Sequence, residues 1–256
     1  LFTWTAVMQL VEQGKLDLDV DVNRYLDFQV PPLDGQPITL RQIMTHRAGF
    51  EERIKDLLAF DVPETPLKEV LSGNMPARIY KAGTTSAYSN YATGIAGHMV
   101  ERVSGLSFND YIERNVFGPL EMKHSSFRQP LPDALKPDMS VGYVDADTPG
   151  LGFEVINVPP AGSLSSTGDD MSHFMIAHLA DGRYGDAQVL KPATAQMMHT
   201  TVTRPFPDLN GIALGFYQAD INGHRVIAHG GDTDYFHSDL WLFLDDHVGV
   251  FISVNA

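Results

Sequence analysis

Three adjacent residues, Tyr88-Ser89-Asn90, put a phenol, a hydroxyl and a carboxamide where the loop Lys81-Ala-Gly-Thr-Thr-Ser-Ala87 gives way to a helical pattern. A phenol can move a proton, and a carboxamide can hold a substrate amide or ester in register. Ser and Asn are also common helix caps, and the triplet alone does not separate the two roles. A second stretch, His229-Gly230-Gly231-Asp232, follows the apolar Val226-Ile-Ala228. Paired glycines at a strand edge let a substrate approach the backbone, and a free N–H such as that of Asp232 could stabilise an oxyanion. A bulge or loop at the end of a strand accounts for the same residues equally well.

Signatures of other chemistries are missing. The sequence has no Gly-x-Ser-x-Gly, no His-Glu-x-x-His, no P-loop and no dinucleotide fingerprint. Nor does it hold Ser-x-x-Lys: the residues three before its lysines are Glu12, Glu52, Thr65, Arg78, Leu120, Asp133 and Gln188. Of its 10 histidines, His224, His229, His237 and His247 fall in or near β-like segments, but their spacing matches no ligand set, so no metal and no cofactor is expected. His46 suits a helix-end histidine that bonds nearby carbonyls.

At 256 residues, 43% hydrophobic, the chain can bury a large core. A net charge of -14 without any Lys/Arg cluster argues against a nucleic-acid partner. No apolar run is long enough to span a membrane. With 0 Cys there is no disulfide, no thiolate nucleophile and no thiolate metal site.

The elements that must position these residues follow from periodicity and caps. Leu1, Trp4, Val7, Met8, Leu10 and Val11 form a broad apolar helical face that Gly14 ends. Nothing caps its start, and Val248 to Val254 forms a strand close to the last residue, so both ends are expected to be cut inside a larger fold. An unpaired sheet edge and a self-association risk would follow. Lys15 to Val22 is expected as an extended connector, because its Asp content is high for a strand. Thr39 and Gln42 fit a capping box for a short helix to about His46, stopped by Gly49. Pro66 is expected at the first position of the next helix. From Asn90 a helix runs to Val103 with small residues suited to close packing, and Gly105 ends it. Ser107 with Asp110 opens another. Residues 121 to 160 suggest long surface loops. Pro159 to Thr167 suggests a short strand leading to a cap, and Thr167 with Asp170 starts a helix to about Leu179. Pro192 opens a helix ending near His199. Strands are expected over 212–218, 225–228, 238–244 and 248–254, with a hairpin turn at Asn222-Gly223. Helices followed by antiparallel strands make the fold class α+β.

Several segments together resemble the serine β-lactamase-like hydrolases, namely class C β-lactamases, DD-peptidases and related esterases. Ala6 to Asp19 is similar to the helix and connector after the family's nucleophile, and Thr45-His-Arg-Ala-Gly49 to its Thr-His-x-x-Gly segment. Tyr88-Ser-Asn90 matches Tyr-x-Asn, Pro160 to Thr167 the segment before a late helix, and His229-Gly-Gly231 the His-Gly-Gly variant of Lys-Thr-Gly. The resemblance implies one β-lactamase-like domain: a mostly helical lobe over about 20–160, and an α/β lobe from 1–19 and 161–256. It implies acyl-enzyme chemistry on a small ester, amide or peptide. Tyr88 would shuttle the proton, Asn90 clamp the substrate, and His229 border the pocket beside Gly230, Gly231 and Ser89. The Asp232 N–H would complete the oxyanion hole. In that register Ser-x-x-Lys falls just before Leu1, outside the sequence, so the chain alone is expected to be inactive. A neutral His229 in place of Lys implies short acyl esters or uncharged amides rather than β-lactams. The family suggests an extracytoplasmic setting. The alternative is a non-catalytic relative that binds peptides or cell-wall fragments.

Overall fold

The computed structural model describes residues 1–60, 65–145 and 147–256. In chain order the elements are α1 (Phe2–Glu12), α2 (Leu40–Met44), β1 (Leu58–Phe60), α3 (Leu67–Gly73), α4 (Asn90–Ser104), α5 (Phe108–Ile112), β2 (Glu154–Ile156), α6 (Pro159–Gly162), α7 (Gly168–Leu179), β3 (Arg183–Tyr184), β4 (Ala187–Gln188), α8 (Pro192–His199), β5 (Tyr217–Gln218), β6 (Val226–Asp232), β7 (His237–Phe243) and β8 (Val248–Val254). The main sheet is antiparallel in the order β5-β6-β7-β8, and β1-β2 and β3-β4 are separate two-stranded pairs. The α+β class holds.

Helix α1 lies inside: every residue from Phe2 to Leu10 is buried, including the polar Thr3, whose hydroxyl donates to the Pro160 carbonyl. Gly14, at φ 69°, turns the chain out of it. Phe2 packs on Phe117, Phe127 and Phe174, which tie α1 to the segment after α5 and to α7. Helix α4 crosses α1 and α6, and its glycines make that approach possible. A Cβ on Gly94 would lie 2.5 Å from Val158, and one on Gly97 would lie 2.3 Å from Pro160. Helix α7 covers β8, where a Cβ on Gly249 would meet the Met175 sulfur at 2.9 Å.

The capping box is present in full: the Thr39 hydroxyl accepts from the Gln42 N–H, and the Gln42 carboxamide accepts from the Thr39 N–H. Ser107 and Thr167 cap α5 and α7. Asn222 and Gly223 both take positive φ, 51° and 85°, as a tight hairpin turn requires.

Four expectations change. Pro66 is the cap of α3 rather than its first residue. Pro159–Gly162 is a helical turn, not a strand, with Pro supplying two pre-set φ angles. The 121–160 region includes β2, which pairs with β1 from Leu58↔Ile156 to Phe60↔Glu154, a partner about a hundred residues away that no local pattern reveals. The strand expected over 212–218 shrinks to β5 because Gly215, at φ 87°, wraps the chain around Trp4, whose ring leaves no room for a Cβ. Strand β8 is the outer strand, and Val248, Val250, Ile252 and Val254 on it are exposed.

Candidate active site

Four rings from three parts of the chain pack in series. Tyr88, at the entry to α4, lies 4.4 Å from His46, which follows α2. His46 is 6.4 Å from Tyr217 on β5, and Tyr217 stacks on His229 of β6 at 4.9 Å and 15°. The Leu1 end of α1 faces the same place: its backbone nitrogen is buried and lies within electrostatic reach of His46 and His229.

His46 ends α2 in the left-handed region at φ 51° and is buried. Its Nδ1 accepts the Ser89 N–H at 3.3 Å, and its carbonyl accepts the Ala87 N–H at 2.7 Å. It therefore fixes both flanks of Tyr88, which corrects the expectation of a histidine bonded to carbonyls. Burial brings its pKa down to about 4. The ring is neutral at pH 7, with its proton on Nε2.

Ser89 is buried, and its hydroxyl accepts the Ala92 N–H at 3.1 Å. Its side chain caps α4 rather than facing the open side of the site. Tyr88 is 41% exposed, so a ligand can reach it. Its hydroxyl donates to Asn90 Oδ1 at 3.3 Å. Burial, then the charge of Glu52, raises the Tyr88 pKa, and the phenol is protonated near neutrality. Asn90 is gripped on its other side by Glu52, which accepts from Nδ2 at 2.8 Å and from the backbone N–H at 3.0 Å.

His229-Gly230-Gly231-Asp232 is no bulge. Strand β6 pairs with β7 without interruption to Asp232↔His237. Paired glycines had suggested that the strand stops at Ala228, but its cross-strand partners carry it on. Arg225 accepts from Leu244 on the β7 side, whereas Val226 accepts from Ala219 on the β5 side. Amides alternate along a strand, so Gly230 and Asp232 point to the β5 side, beyond the last β5–β6 pair at Tyr217↔Ala228. Their N–H groups face an open edge. A Cβ on Gly231 would touch nothing within 4 Å, so there is room above the strand for another molecule. The Asp232 carboxylate turns to His237 Nδ1 at 2.7 Å. His229 Nδ1 donates to the Gly230 carbonyl at 2.5 Å. Burial lowers its pKa to about 3, so the ring is neutral with a free acceptor at Nε2.

The structure thus joins Tyr88 and Asn90 to Glu52, and His229 to Tyr217 and His46. Glu52 and Tyr217 carried no local signal. His46 had one, its place in Thr-His-x-x-Gly. Among the described residues no group of three or more His, Asp and Glu is arranged to hold a metal ion, and no helix is long and apolar enough to cross a membrane.

A helix end, a Tyr-x-Asn loop and a His-Gly-Gly strand edge thus meet on an α+β scaffold. The β-lactamase family model matches residues 1–256, and the chain belongs to that family. It is 25% identical over 264 residues to protein flp of Staphylococcus aureus (strain N315), covering 99% of this chain and 51% of flp. The chain thus spans about half the length of the curated relatives it matches. Among solved structures it is similar to the octameric penicillin-binding protein homologue from Pyrococcus abyssi, with TM-score 0.81, 23% identity, and coverage of 100% of this chain and 60% of the other. It also resembles the β-lactamase/D-alanine carboxypeptidase from Pseudomonas syringae, with TM-score 0.80, 18% identity, and coverage of 99% and 76%.

Proposed function

We propose that the complete protein is a serine hydrolase that cleaves esters or amides through an acyl-enzyme, and that the 256 residues here hold all of its site except the nucleophile and its lysine. The observation that carries this is the convergence of the buried Leu1 end of α1 with Tyr88, His46 and His229. Continued backwards, α1 would bring Ser-x-x-Lys to that point, with Lys just before Leu1 and Ser one turn earlier. The positive helix end would stabilise developing negative charge on the serine side.

Tyr88 moves the proton in this scheme. A phenol raised by burial and by Glu52 is a poor base, so a lysine ammonium beside it is what would draw its pKa down. Asn90 keeps one Nδ2 hydrogen for a substrate carbonyl after donating the other to Glu52. The Asp232 N–H at the open edge of β6 is the oxyanion donor contributed by this part of the chain, and Gly230 and Gly231 leave the substrate room. A neutral His229 offers no fixed charge to a carboxylate. We therefore assign short acyl esters and amides without a carboxylate, in preference to β-lactams.

The test is labelling of the complete protein with a fluorophosphonate, followed by peptide mass spectrometry. The expected adduct is on the serine one turn before the α1 lysine, and Tyr88→Phe slows labelling at least a hundredfold. The 256-residue chain alone takes up no label. A stoichiometric adduct on this chain, on Tyr88 or any of its serines, would overturn the assignment.

A further inference from the structure

Strand β6 is softest where the Asp232 N–H must be aimed. Beyond Tyr217↔Ala228 it keeps its β7 partners, but among the described residues no strand lies on its other side. That stretch runs through Gly230 and Gly231, and glycine imposes little torsional preference of its own. The direction of the Asp232 N–H therefore depends on how the two ends of the stretch are fixed. Tyr217, stacked on His229, fixes the first. The second is fixed from β2. The buried carboxylate of Glu154 accepts from the Thr233 hydroxyl at 2.7 Å and from the Asp234 N–H at 2.9 Å. The Thr233 hydroxyl also accepts from the Phe236 N–H at 3.0 Å, and the Thr233 N–H donates to the Phe236 carbonyl at 2.9 Å. Glu154 thus grips a turn that is already closed on itself. Tyr235 in that turn lies 6.1 Å from the ring of Phe60, the residue paired with Glu154 in the β1–β2 ladder. A Cβ on Gly142 would lie 2.7 Å from the Tyr235 Cβ, so the chain passes close on that side too.

We propose that Glu154 is a positioning residue for the oxyanion hole: by holding Thr233 and Asp234 it fixes the direction of the neighbouring Asp232 N–H. The proposal rests on the hydrolase reading above, in which Glu154 itself touches no substrate. An oxyanion donor is effective only when aimed at the place where negative charge develops, and a displacement of about 1 Å can cost about a hundredfold in rate. Without Glu154 the turn keeps its pairing with β7 and loses its anchor on β2, and the Asp232 N–H moves with it. The lost interaction is one made in the transition state, so kcat falls and KM changes little. Position matters here more than charge. A carboxamide at residue 154 can accept from the Asp234 N–H and donate to the Thr233 hydroxyl oxygen.

The experiment uses the complete protein and its Glu154→Ala, Glu154→Gln and Thr233→Val variants. Turnover of p-nitrophenyl acetate is compared with that of its thiono analogue, in which sulfur replaces the carbonyl oxygen. Sulfur accepts hydrogen bonds weakly. The oxygen-to-sulfur ratio of kcat/KM therefore reads the oxyanion hole and is independent of how much of the protein is folded. Expected in Glu154→Ala is a fall of about ten- to hundredfold in kcat on the oxygen ester, with KM within about threefold and the ratio about tenfold smaller. Glu154→Gln restores most of both. Thr233→Val removes one of the two bonds and lowers the ratio by about threefold; it carries the test if Glu154→Ala does not fold. A ratio equal to that of the wild type in the variant that carries the test overturns the proposal, whatever the loss of activity. Fluorophosphonate labelling reads the hydrolase assignment separately. A labelled wild type with an unchanged ratio in the variant overturns this proposal alone, and a wild type that takes no label overturns both.

Discussion

His98 and His229 are both packed into protein, yet one is held charged and the other neutral. His98 sits in α4, with Nδ1 2.9 Å from Glu101 and Nε2 2.9 Å from Asp27. Carboxylates only accept, so both nitrogens must donate and the ring is an imidazolium. Burial works against that charge, but the bonds to Glu101 and Asp27 outweigh it and raise the pKa. Lys68 and Arg102 complete the network around Asp27, whose own pKa is lowered mainly by His98. His229 has only a carbonyl and the Tyr217 ring beside it, and its pKa falls to about 3. One residue type therefore serves as an ionic tie in the helical part and as an uncharged wall in the site. The difference lies in the partners, since burial lowers both.

The largest test of this contrast is on the ionic tie. His98→Leu leaves Asp27 and Glu101 without their shared cation and is expected to cost about 3 kcal/mol, read as a lower urea midpoint at pH 6. Wild-type stability should also fall as pH rises through the raised His98 value, because the unfolded histidine holds its proton less firmly there. In His98→Leu that alkaline decline disappears; if it persists, the imidazolium assignment is wrong.

The neutral histidines predict the opposite slope. His46 and His229 fold with pKa values of about 4 and about 3, against an ordinary 6.5. Their contribution is complete above pH 6.5 and is lost as pH falls towards those values, for His46 about 2 kcal/mol by pH 5. Urea midpoints at pH 7 and pH 5 measure this, and no decline would refute the neutral assignment. His229→Lys in the complete protein should raise turnover of a carboxylate-bearing cephalosporin about tenfold, as steady-state kinetics would record. The smallest effect is expected for Asp232→Asn, under threefold in kcat/KM, since the role given to that residue belongs to its backbone N–H and its ion pair with His237 is exposed. A large loss would mean that the carboxylate itself takes part.

Local chemistry was written plainly in the sequence. Thr39 and Gln42 specify a capping box, Asn222-Gly223 a hairpin turn, and the apolar face of Trp4, Val7, Met8, Leu10 and Val11 a helix. Tyr88 and Asn90 were marked by their place at a loop-to-helix boundary. What could not be seen lay in contacts between distant segments. Glu52 reaches Asn90 across 38 positions. Tyr217 meets His229 through the β5–β6 pairing, and β2 finds β1 across the helical part. The paired glycines of β6 hid a continuous strand, because glycine's backbone freedom removes any local preference for one, and the ladder with β7 restores it.

The sequence by itself therefore determined most of the helices and the last strands, their caps, and the Tyr88-Ser-Asn90 and His229-Gly-Gly231 segments as candidates. Those properties depend on torsional preference and on hydrogen bonds within a few residues. Only the tertiary structure decided that Ser89 caps a helix, that His98 is charged and His229 is not, and that Glu52 grips Asn90. Protonation follows desolvation and the nearest charge, and both are set by residues that are neighbours in space and far apart in the chain.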